Sequence, residues 1–190
     1  MEAMSEFQDN FFDLAIVDPP YGLDVFKNMS RIRKYGQTET TSTHAPNEEY
    51  FRELFRVSQN QIIWGGNYFD LPPTRGFIFW HKHQPLTDYA AGEYAWTSFD
   101  RNAKCFDHPF YGNINAEKGR MHPHQKPVKL YKWILKNYGN GGGAKYWIHT
   151  WDPAAAALPP TTWVLTFGDT KLTVAISGAR INDLISMRHN

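Results

Sequence analysis

The sequence predicts an α/β fold, in which helices pack against a mostly parallel sheet. Three short apolar runs, at residues 11–17, 61–64 and 76–80, each end in residues that favour turns. A helical pattern separates the first two runs, and strand–helix–strand order is typical of layered α/β sheets. The chain has 190 residues, 42% of them hydrophobic, so we expect one domain with a sizeable core.

The first helix is predicted over residues 47–58. Asn47 is a good N-cap residue, and Glu48 and Glu49 place negative charge in the first turn, where the helix dipole favours it. The apolar residues that follow are spaced as one helical stripe. A further strand is expected at 94–99.

A second helix is predicted over residues 128–138. Pro127 suits the start of a helix, and Gly139 suits its end. The segment 100–119 between the last strand and this helix has no regular pattern. We expect Trp64, Trp80 and Trp96 in the core or the walls of a site rather than on a separate binding platform. The other predicted core residues are Phe12, Leu14, Ile16, Ile62, Ile63, Phe77, Phe79, Leu130 and Ile134.

Charge and composition exclude several classes of protein. Lys and Arg number 20 against 19 Asp and Glu, so the chain is neither a polycation nor an acidic tail. The single Cys105 excludes a disulfide framework and a Cys-based zinc site, which suits a reducing compartment. No apolar run approaches the roughly 20 residues of a membrane-spanning helix. We therefore expect a cytoplasmic protein with no membrane partner.

A basic segment over residues 23–44 has no clean period and is interpreted as a loop. It carries the cationic residues Lys27, Arg31, Arg33 and Lys34. Such a loop is suited to contact DNA phosphates. The alternative is an ordinary solvated loop, since the nearly neutral net charge gives no further support for nucleic acid.

The most specific feature of the sequence is Asp18-Pro19-Pro20-Tyr21, directly after the first predicted strand. Ligands of open α/β sheets bind at the carboxyl ends of strands. The Asp18 carboxylate and the Pro19 carbonyl are acceptors, and proline adds no N–H donor of its own. With the Tyr21 ring beside them, they suit a flat ligand that bears an amino group. The alternative is a simple proline turn.

This motif resembles the catalytic motif of DNA amino-methyltransferases. The resemblance extends over FDLAIVDPPYG at 12–22, NQIIWGGNYF at 60–69, FIFW at 77–80 and HPHQKP at 122–127. These segments span nearly all of the chain to about residue 143, in the order of the subgroup whose catalytic motif precedes the cofactor-binding half. The resemblance implies a Rossmann-like, S-adenosylmethionine-dependent methyltransferase sheet.

The resemblance also implies roles for the motif residues. Asp18 and the Pro19 carbonyl hold the target amine, Pro20 shapes the turn, and Tyr21 stacks on a base flipped out of double-stranded DNA. Asp at the head of the motif favours the N6 amine of adenine over the N4 amine of cytosine. An enzyme of this kind suits a phage or a bacterial restriction–modification system, with or without a partner nuclease. The sequence leaves open a non-catalytic DNA-binding remnant, N4-cytosine methylation and an RNA substrate.

His122, Gln125 and Lys126 lie near the cofactor S-adenosylmethionine by the same resemblance. His124 stands where the family has Thr. The alternative for this segment is a loop that caps the following helix.

The histidine pairs at 81 and 83 and at 122 and 124 raise the question of a metal. The sequence shows no carboxylate or thiolate cluster that completes either pair. We therefore predict no metal site.

Beyond residue 143 the chain departs from the family. We divide it into a catalytic domain at 1–143 and an atypical, poorly specified tail at 144–190, because the tail lacks the family's Gly-rich cofactor loop and the acid that follows it. In a shifted reading frame, permitted synonymous codons for the tail encode Leu-Gly-Ser-Gly and then Gly-Tyr-Glu-Ile-Asp. We hypothesise an insertion or deletion near the codons for 141–143, which predicts weak or absent cofactor binding. The alternative is a divergent C-terminal segment.

Overall fold

The computed structural model describes residues 2–23, 44–87, 89–110, 126–140, 144–150, 162–167 and 172–176. These residues form one sheet with helices packed on it, a mixed α/β architecture compatible with a Rossmann-like fold. The strands are β1 Leu14–Asp18, β2 Gln61–Trp64, β3 Phe77–His81, β4 Gly92–Thr97, β5 Lys104–Asp107, β6 Lys145–Thr150, β7 Thr162–Phe167 and β8 Leu172–Ile176. The helices are α1 Glu2–Ser5, α2 Glu48–Val57 and α3 Val128–Tyr138, with a 3₁₀ turn at Gly66–Tyr68.

The strands lie in the order β5-β3-β4-β2-β1-β6-β7-β8. Strand β1 therefore has β2 on one side and β6 on the other, and it pairs in parallel with both. Asp13, just before β1, fixes this register, because its carboxylate accepts a hydrogen bond from the Lys145 amide at 2.7 Å. Its carbonyl accepts another from the Asn60 side chain at 3.1 Å. Asp13 thus links the starts of three neighbouring strands.

The two long helices pack on opposite faces of β1. Side chains alternate along a strand, so Leu14 and Ile16 face one way and Ala15 and Val17 the other. The first pair lies in the hydrophobic cluster of α3, and the second pair lies in the cluster of α2. The result is three layers with β1 buried between two helices.

Both long helices agree with their predictions. Helix α2 begins after Asn47, whose side-chain oxygen accepts a hydrogen bond from the Tyr50 amide at 3.0 Å. Helix α3 covers the predicted 128–138, with Pro127 before it and Gly139 after it. The buried residues of the two helices lie at helical spacing, namely Phe51, Leu54 and Val57 in α2 and Leu130, Ile134 and Tyr138 in α3.

The prediction of a mostly parallel sheet is wrong. Three of the described pairings are parallel, β1–β2, β1–β6 and β3–β5, and four are antiparallel, β2–β4, β3–β4, β6–β7 and β7–β8. The reason is the length of the links. A parallel crossover needs about a dozen residues or more, and the links 82–91, 151–161 and 168–171 are all shorter.

Two strand predictions also need correction. The strand expected at 94–99 begins earlier, at Gly92, and ends at Thr97. Strand β5 lies within a segment predicted to be irregular. Only Phe106 of its four residues is buried, and a run of four residues at the sheet edge is too short for a period of two to be recognised.

The predicted core is confirmed except for Phe77 and Phe79. The other predicted core residues are at most 6% exposed, as are Trp64, Trp80 and Trp96. Phe77 and Phe79 are instead 37% and 38% exposed. Strand β3 turns Ile78 and Trp80 into the core beside α3, so alternation places its phenylalanines on the opposite face.

Within the described residues, no helix has the length and the apolar character needed to cross a membrane.

The two faces of β3 differ in burial, so substitutions on them are expected to lower the free energy of unfolding by different amounts. Ile78→Ala removes methyl groups from a fully buried site, and we expect it to lower the free energy of unfolding by about 2–5 kcal/mol. Phe77→Thr is expected to cost less than about 1 kcal/mol, because the ring is already partly solvated. Urea unfolding of both variants tests the assignment, and a Phe77→Thr cost equal to that of Ile78→Ala contradicts it.

Candidate functional site

Several charged and polar side chains lie at one edge of the sheet. Strands β1, β2, β3, β5 and β6 all end at this edge, and β4, which is antiparallel to β2 and β3, begins there. The chain leaves β1 towards β2 through α2 and reaches β6 through α3. Strand β1 is therefore the point where the order of connections reverses, and such a point opens a crevice at the carboxyl end of the strand.

Asp18 is the last residue of β1 and lies in this crevice. The Tyr21 hydroxyl donates a hydrogen bond to Asp18 Oδ1 at 2.7 Å. The Lys126 ammonium lies 2.5 Å from Asp18 Oδ2. The Asp18 side chain is 14% exposed and that of Lys126 only 3%, so this ion pair is largely withdrawn from water.

Lys126 also joins Asp18 to a second acid. Its Nζ lies 3.1 Å from Glu93 Oε2, near the start of β4, and Glu93 forms a further ion pair with Lys82. We name Asp18, Lys82, Glu93 and Lys126 the charged cluster. Two acids and two bases leave it with no net charge, which limits the cost of burying four ionic groups.

The cluster changes the proton affinities of its members. Burial alone would raise the pKa of Glu93, but the ammonium groups of Lys126 and Lys82 lower that pKa to about 2. Burial alone would lower the pKa of Lys126, but Asp18 and Glu93 hold it above its ordinary value. Both groups are therefore charged at neutral pH. The indole rings of Trp64 and Trp80 line the cluster, with Lys126 Nζ 5.0 Å from the first ring centroid and Lys82 Nζ 4.7 Å from the second.

Aromatic rings form the other wall of the site. The Tyr21 ring stacks on Tyr68, with centroids 5.0 Å apart and planes inclined by 19°, and Phe69 meets it edge-on at 6.2 Å. Gly65 permits this approach, since a Cβ there would lie 2.2 Å from the Tyr21 ring. Tyr68 is 48% exposed, so the aromatic wall reaches the surface.

Several buried polar atoms have no hydrogen-bond partner among the described residues, and three of them are tyrosine hydroxyls or an imidazole nitrogen. These three are the Tyr50 hydroxyl on α2, the Tyr131 hydroxyl on α3 and Nδ1 of His149 on β6. Burial and the nearby Asp18 charge raise the pKa of both tyrosines, so these hydroxyls stay protonated. Burial lowers the pKa of His149 to about 4, which keeps its ring neutral at pH 7. The hydrogen-bonding capacity of these three atoms is thus unused by the described residues.

The structure brings some of the predicted site residues together. Asp18, Pro19, Pro20 and Tyr21 lie at the carboxyl end of β1, as the strand-end prediction required. Lys126, expected near the cofactor by resemblance, contacts Asp18 itself. The remaining site predictions lie outside the described residues: His122 and Gln125 for the cofactor, and Lys27, Arg31, Arg33 and Lys34 for DNA.

Sequence reasoning missed Glu93, Lys82 and Tyr68 as parts of the site. Glu93 lies in β4, but the predicted strand began only at residue 94. No local pattern marks Glu93 as a partner of Lys126. Tyr68 follows Gly65-Gly66, and the paired glycines after a buried strand were the available signal that another ring packs there.

No family model matches this chain, and neither the curated proteins nor the solved structures include a match.

The charged cluster predicts a pH-dependent contribution to stability. The pKa of Glu93 falls from 4.5 to about 2 on folding, so its stabilising contribution is complete above about pH 4.5 and is lost as the pH falls to about 2. We expect Glu93→Gln to lower the free energy of unfolding by about 3 kcal/mol at pH 7 and by progressively less below pH 4.5.

Urea unfolding across this pH range measures the effect. Glu49→Gln is the matched control, because Glu49 forms an exposed pair with Arg52 at 3.9 Å and such pairs contribute about 0.5 kcal/mol or less. A Glu93→Gln difference that stays constant from pH 7 to pH 3 contradicts the predicted ionisation.

Gly65→Ala is expected to displace the Tyr21 ring. The new methyl group would overlap the ring, and Gly65 has a φ of 67°, where an alanine is strained by about 1 kcal/mol. Gly22→Ala is the control, with a φ of 70° but a nearest contact of 3.2 Å to Ala45 Cβ. We expect the Tyr68 ring resonances to shift in Gly65→Ala and to keep their parent positions in Gly22→Ala, and equal Tyr68 ring resonances in the two variants refute the packing.

Proposed function

We propose that this chain carries the target-amine site of an S-adenosylmethionine-dependent DNA methyltransferase that acts on the N6 amine of adenine. The observation that supports the proposal most directly is the Asp18 carboxylate, fixed at the carboxyl end of β1 between Lys126 and the Tyr21 ring. The same crevice is the ligand position of open α/β sheets.

Asp18 retains acceptor capacity for an amine. A carboxylate offers about four lone-pair positions, and the described contacts use one on each oxygen, towards Tyr21 and Lys126. The Pro19 carbonyl follows directly along the chain and adds an acceptor. Two acceptors side by side match the two N–H bonds of an exocyclic amine.

The chemical role of these acceptors follows from the electronic structure of adenine. Its N6 lone pair is delocalised into the ring, so hydrogen bonds from both N–H groups favour a more pyramidal and nucleophilic nitrogen. S-adenosylmethionine, when bound, supplies an activated methyl group. The nitrogen would form a bond to the methyl carbon as the carbon–sulfur bond breaks, S-adenosylhomocysteine would be the leaving group, and the proton released from the amine would pass to solvent. No covalent bond to the enzyme is required.

Tyr21 gives the site its preference for a planar ligand. Its hydrogen bond to Asp18 fixes the ring relative to the carboxylate, and burial together with the Asp18 charge keeps the pKa of its hydroxyl far above neutrality. A base stacked on this ring presents its edge, and hence its amine, towards the acceptors. Such an arrangement needs a base flipped out of the duplex. The cationic residues at 27, 31, 33 and 34 are proposed to contact the phosphates of that duplex.

The part of the site that would bind the cofactor has less support in this chain than the part that would hold the amine. The Tyr50 hydroxyl and His149 Nδ1 offer buried polar atoms for a cofactor beside the ends of β1 and β6. However, β6 is followed by the antiparallel strand β7, whereas the cofactor half of a Rossmann-like sheet continues through a crossover helix to a parallel strand. This pairing favours weak cofactor binding, in line with the proposed frame shift.

The antiparallel pairing β6–β7 also favours a second candidate function, a DNA-binding remnant without methyl transfer. In that case the chain retains the amine pocket and binds a flipped base, and S-adenosylmethionine has no effect on it.

A methyl-transfer assay with labelled S-adenosylmethionine and duplex DNA tests the proposal. We compare this chain with a protein translated after the reading frame is restored at the codons for 141–143. We expect the restored protein to form N6-methyladenine and this chain to be far less active. Asp18→Ala in the restored protein is expected to lower the rate by a factor of about 100 or more, because it removes a hydrogen-bond acceptor of the transition state.

Three outcomes decide between the alternatives. Absence of labelled product from both proteins refutes the methyltransferase, and DNA binding by this chain without labelling then selects the remnant. N4-methylcytosine as the product refutes adenine as the target. Full activity of the unrestored chain, or its tight binding of S-adenosylmethionine by calorimetry, refutes the frame shift.

A further inference from the structure

A second group of polar side chains lies at the same sheet edge and has no part in the charged cluster. It consists of His81 at the end of β3, His83 just beyond it and Asp107 at the end of β5. One ligand atom from each residue lies within 4.8 Å of the other two. Two imidazoles and one carboxylate at this spacing form a possible set of metal ligands.

The sheet register brings the carboxylate to the histidines. Strands β3 and β5 are parallel, and Asp107 is the register partner of His81. Asp107 Oδ2 lies 3.4 Å from His81 Nδ1, and its Oδ1 contacts His83 Nε2. The single carboxylate therefore faces both rings. The sequence did not predict this contact, because residues 83 and 107 are far apart in the chain.

Strand alternation separates this group from the charged cluster. Lys82 turns towards Glu93, so its neighbour His81, the last residue of β3, points the other way. The His81 and His83 rings lie 4.0 Å apart on that opposite side. His83 has a φ of 53°, a conformation that residues other than glycine seldom adopt.

We propose that His81, His83 and Asp107 bind a divalent transition-metal ion of the zinc type. Imidazole nitrogen and carboxylate oxygen are the donors that Zn²⁺ accepts, and three protein ligands leave a coordination position open to water. The three side chains are 39%, 41% and 62% exposed, so an ion has access from solvent.

The ion would add a cross-link at the ends of two strands that already pair with each other. Strand β5 is the edge of the sheet, and His83 belongs to the link that leaves β3. Strand β3 lies three positions from β1, or about 14 Å at the usual strand spacing. The site is thus separate from Asp18, and its test does not depend on methyl transfer.

Titration of the untagged, metal-free full chain with Zn²⁺ alone tests the proposal. We expect one ion per chain by calorimetry, a rise in the thermal midpoint with Zn²⁺, and a visible absorption band when Co²⁺ replaces it. His83→Asn and Asp107→Asn are each expected to weaken binding by a factor of about ten or more. Asn tolerates the left-handed conformation at 83, so this variant removes the imidazole while leaving the backbone unstrained.

His108→Gln is the matched control. His108 is next to Asp107 in the chain, its ring packs against Phe106 and Phe110, and it is not one of the three clustered ligands. We expect it to bind Zn²⁺ as the parent chain does, and circular dichroism verifies that every variant is folded. The proposal is overturned if the parent chain takes up no Zn²⁺, or if His108→Gln weakens binding as much as His83→Asn does. In either case the contact of His83 with Asp107 is only a surface ion pair.

Discussion

The ion pair between Asp18 and Lys126 is the contact on which the arrangement of the site depends. Asp18 ends the central strand β1, and Lys126 directly precedes Pro127 and α3. Through Glu93 the same ammonium reaches the start of β4. One buried cation therefore fixes the position of a helix start relative to two strands, and so determines which side chains surround the crevice.

A buried cluster of ionic groups contributes little net free energy to the stability of a fold. Removing ions from water costs several kcal/mol each, and apolar residues of similar volume often stabilise a core as well or better. Its value lies in geometry. Lys126 and Tyr21 hold the two oxygens of Asp18 in fixed directions, so the carboxylate is oriented before any ligand binds. The indole of Trp64 excludes water from the ammonium and keeps these contacts strong.

The sheet edge gives this chain two separate polar centres for one topological reason. Strands that run parallel end at the same edge, so Asp18 and Asp107 both arrive there although they lie on distant strands. Alternation at the end of β3 turns His81 away from Lys82, and His83 turns back towards the His81 ring, so Lys82 belongs to one centre and the two histidines to the other. On the far side of β1 the antiparallel β6–β7 pairing ends the parallel arrangement.

The sequence by itself determined the features that depend on neighbours along the chain. Asn47 and the apolar stripe after it determine α2, Pro127 and Gly139 bound α3, and the prolines after Asp18 place the acid at a strand end. These features could be predicted because capping, helical period and turn preference act over a few residues.

The tertiary structure alone decided the order of the strands, the exposed face of β3 and the partners of the site residues. Glu93 meets Lys126, and Asp107 meets His81, because of the sheet order and the strand register, to which residues far apart in sequence contribute. Likewise Phe77 and Ile78 are adjacent in the chain and both apolar. Only the packing of α3 on one face of the sheet decides that Ile78 is the buried one. Contacts across a sheet are set by the free energy of the whole fold, so no local pattern in the chain records them.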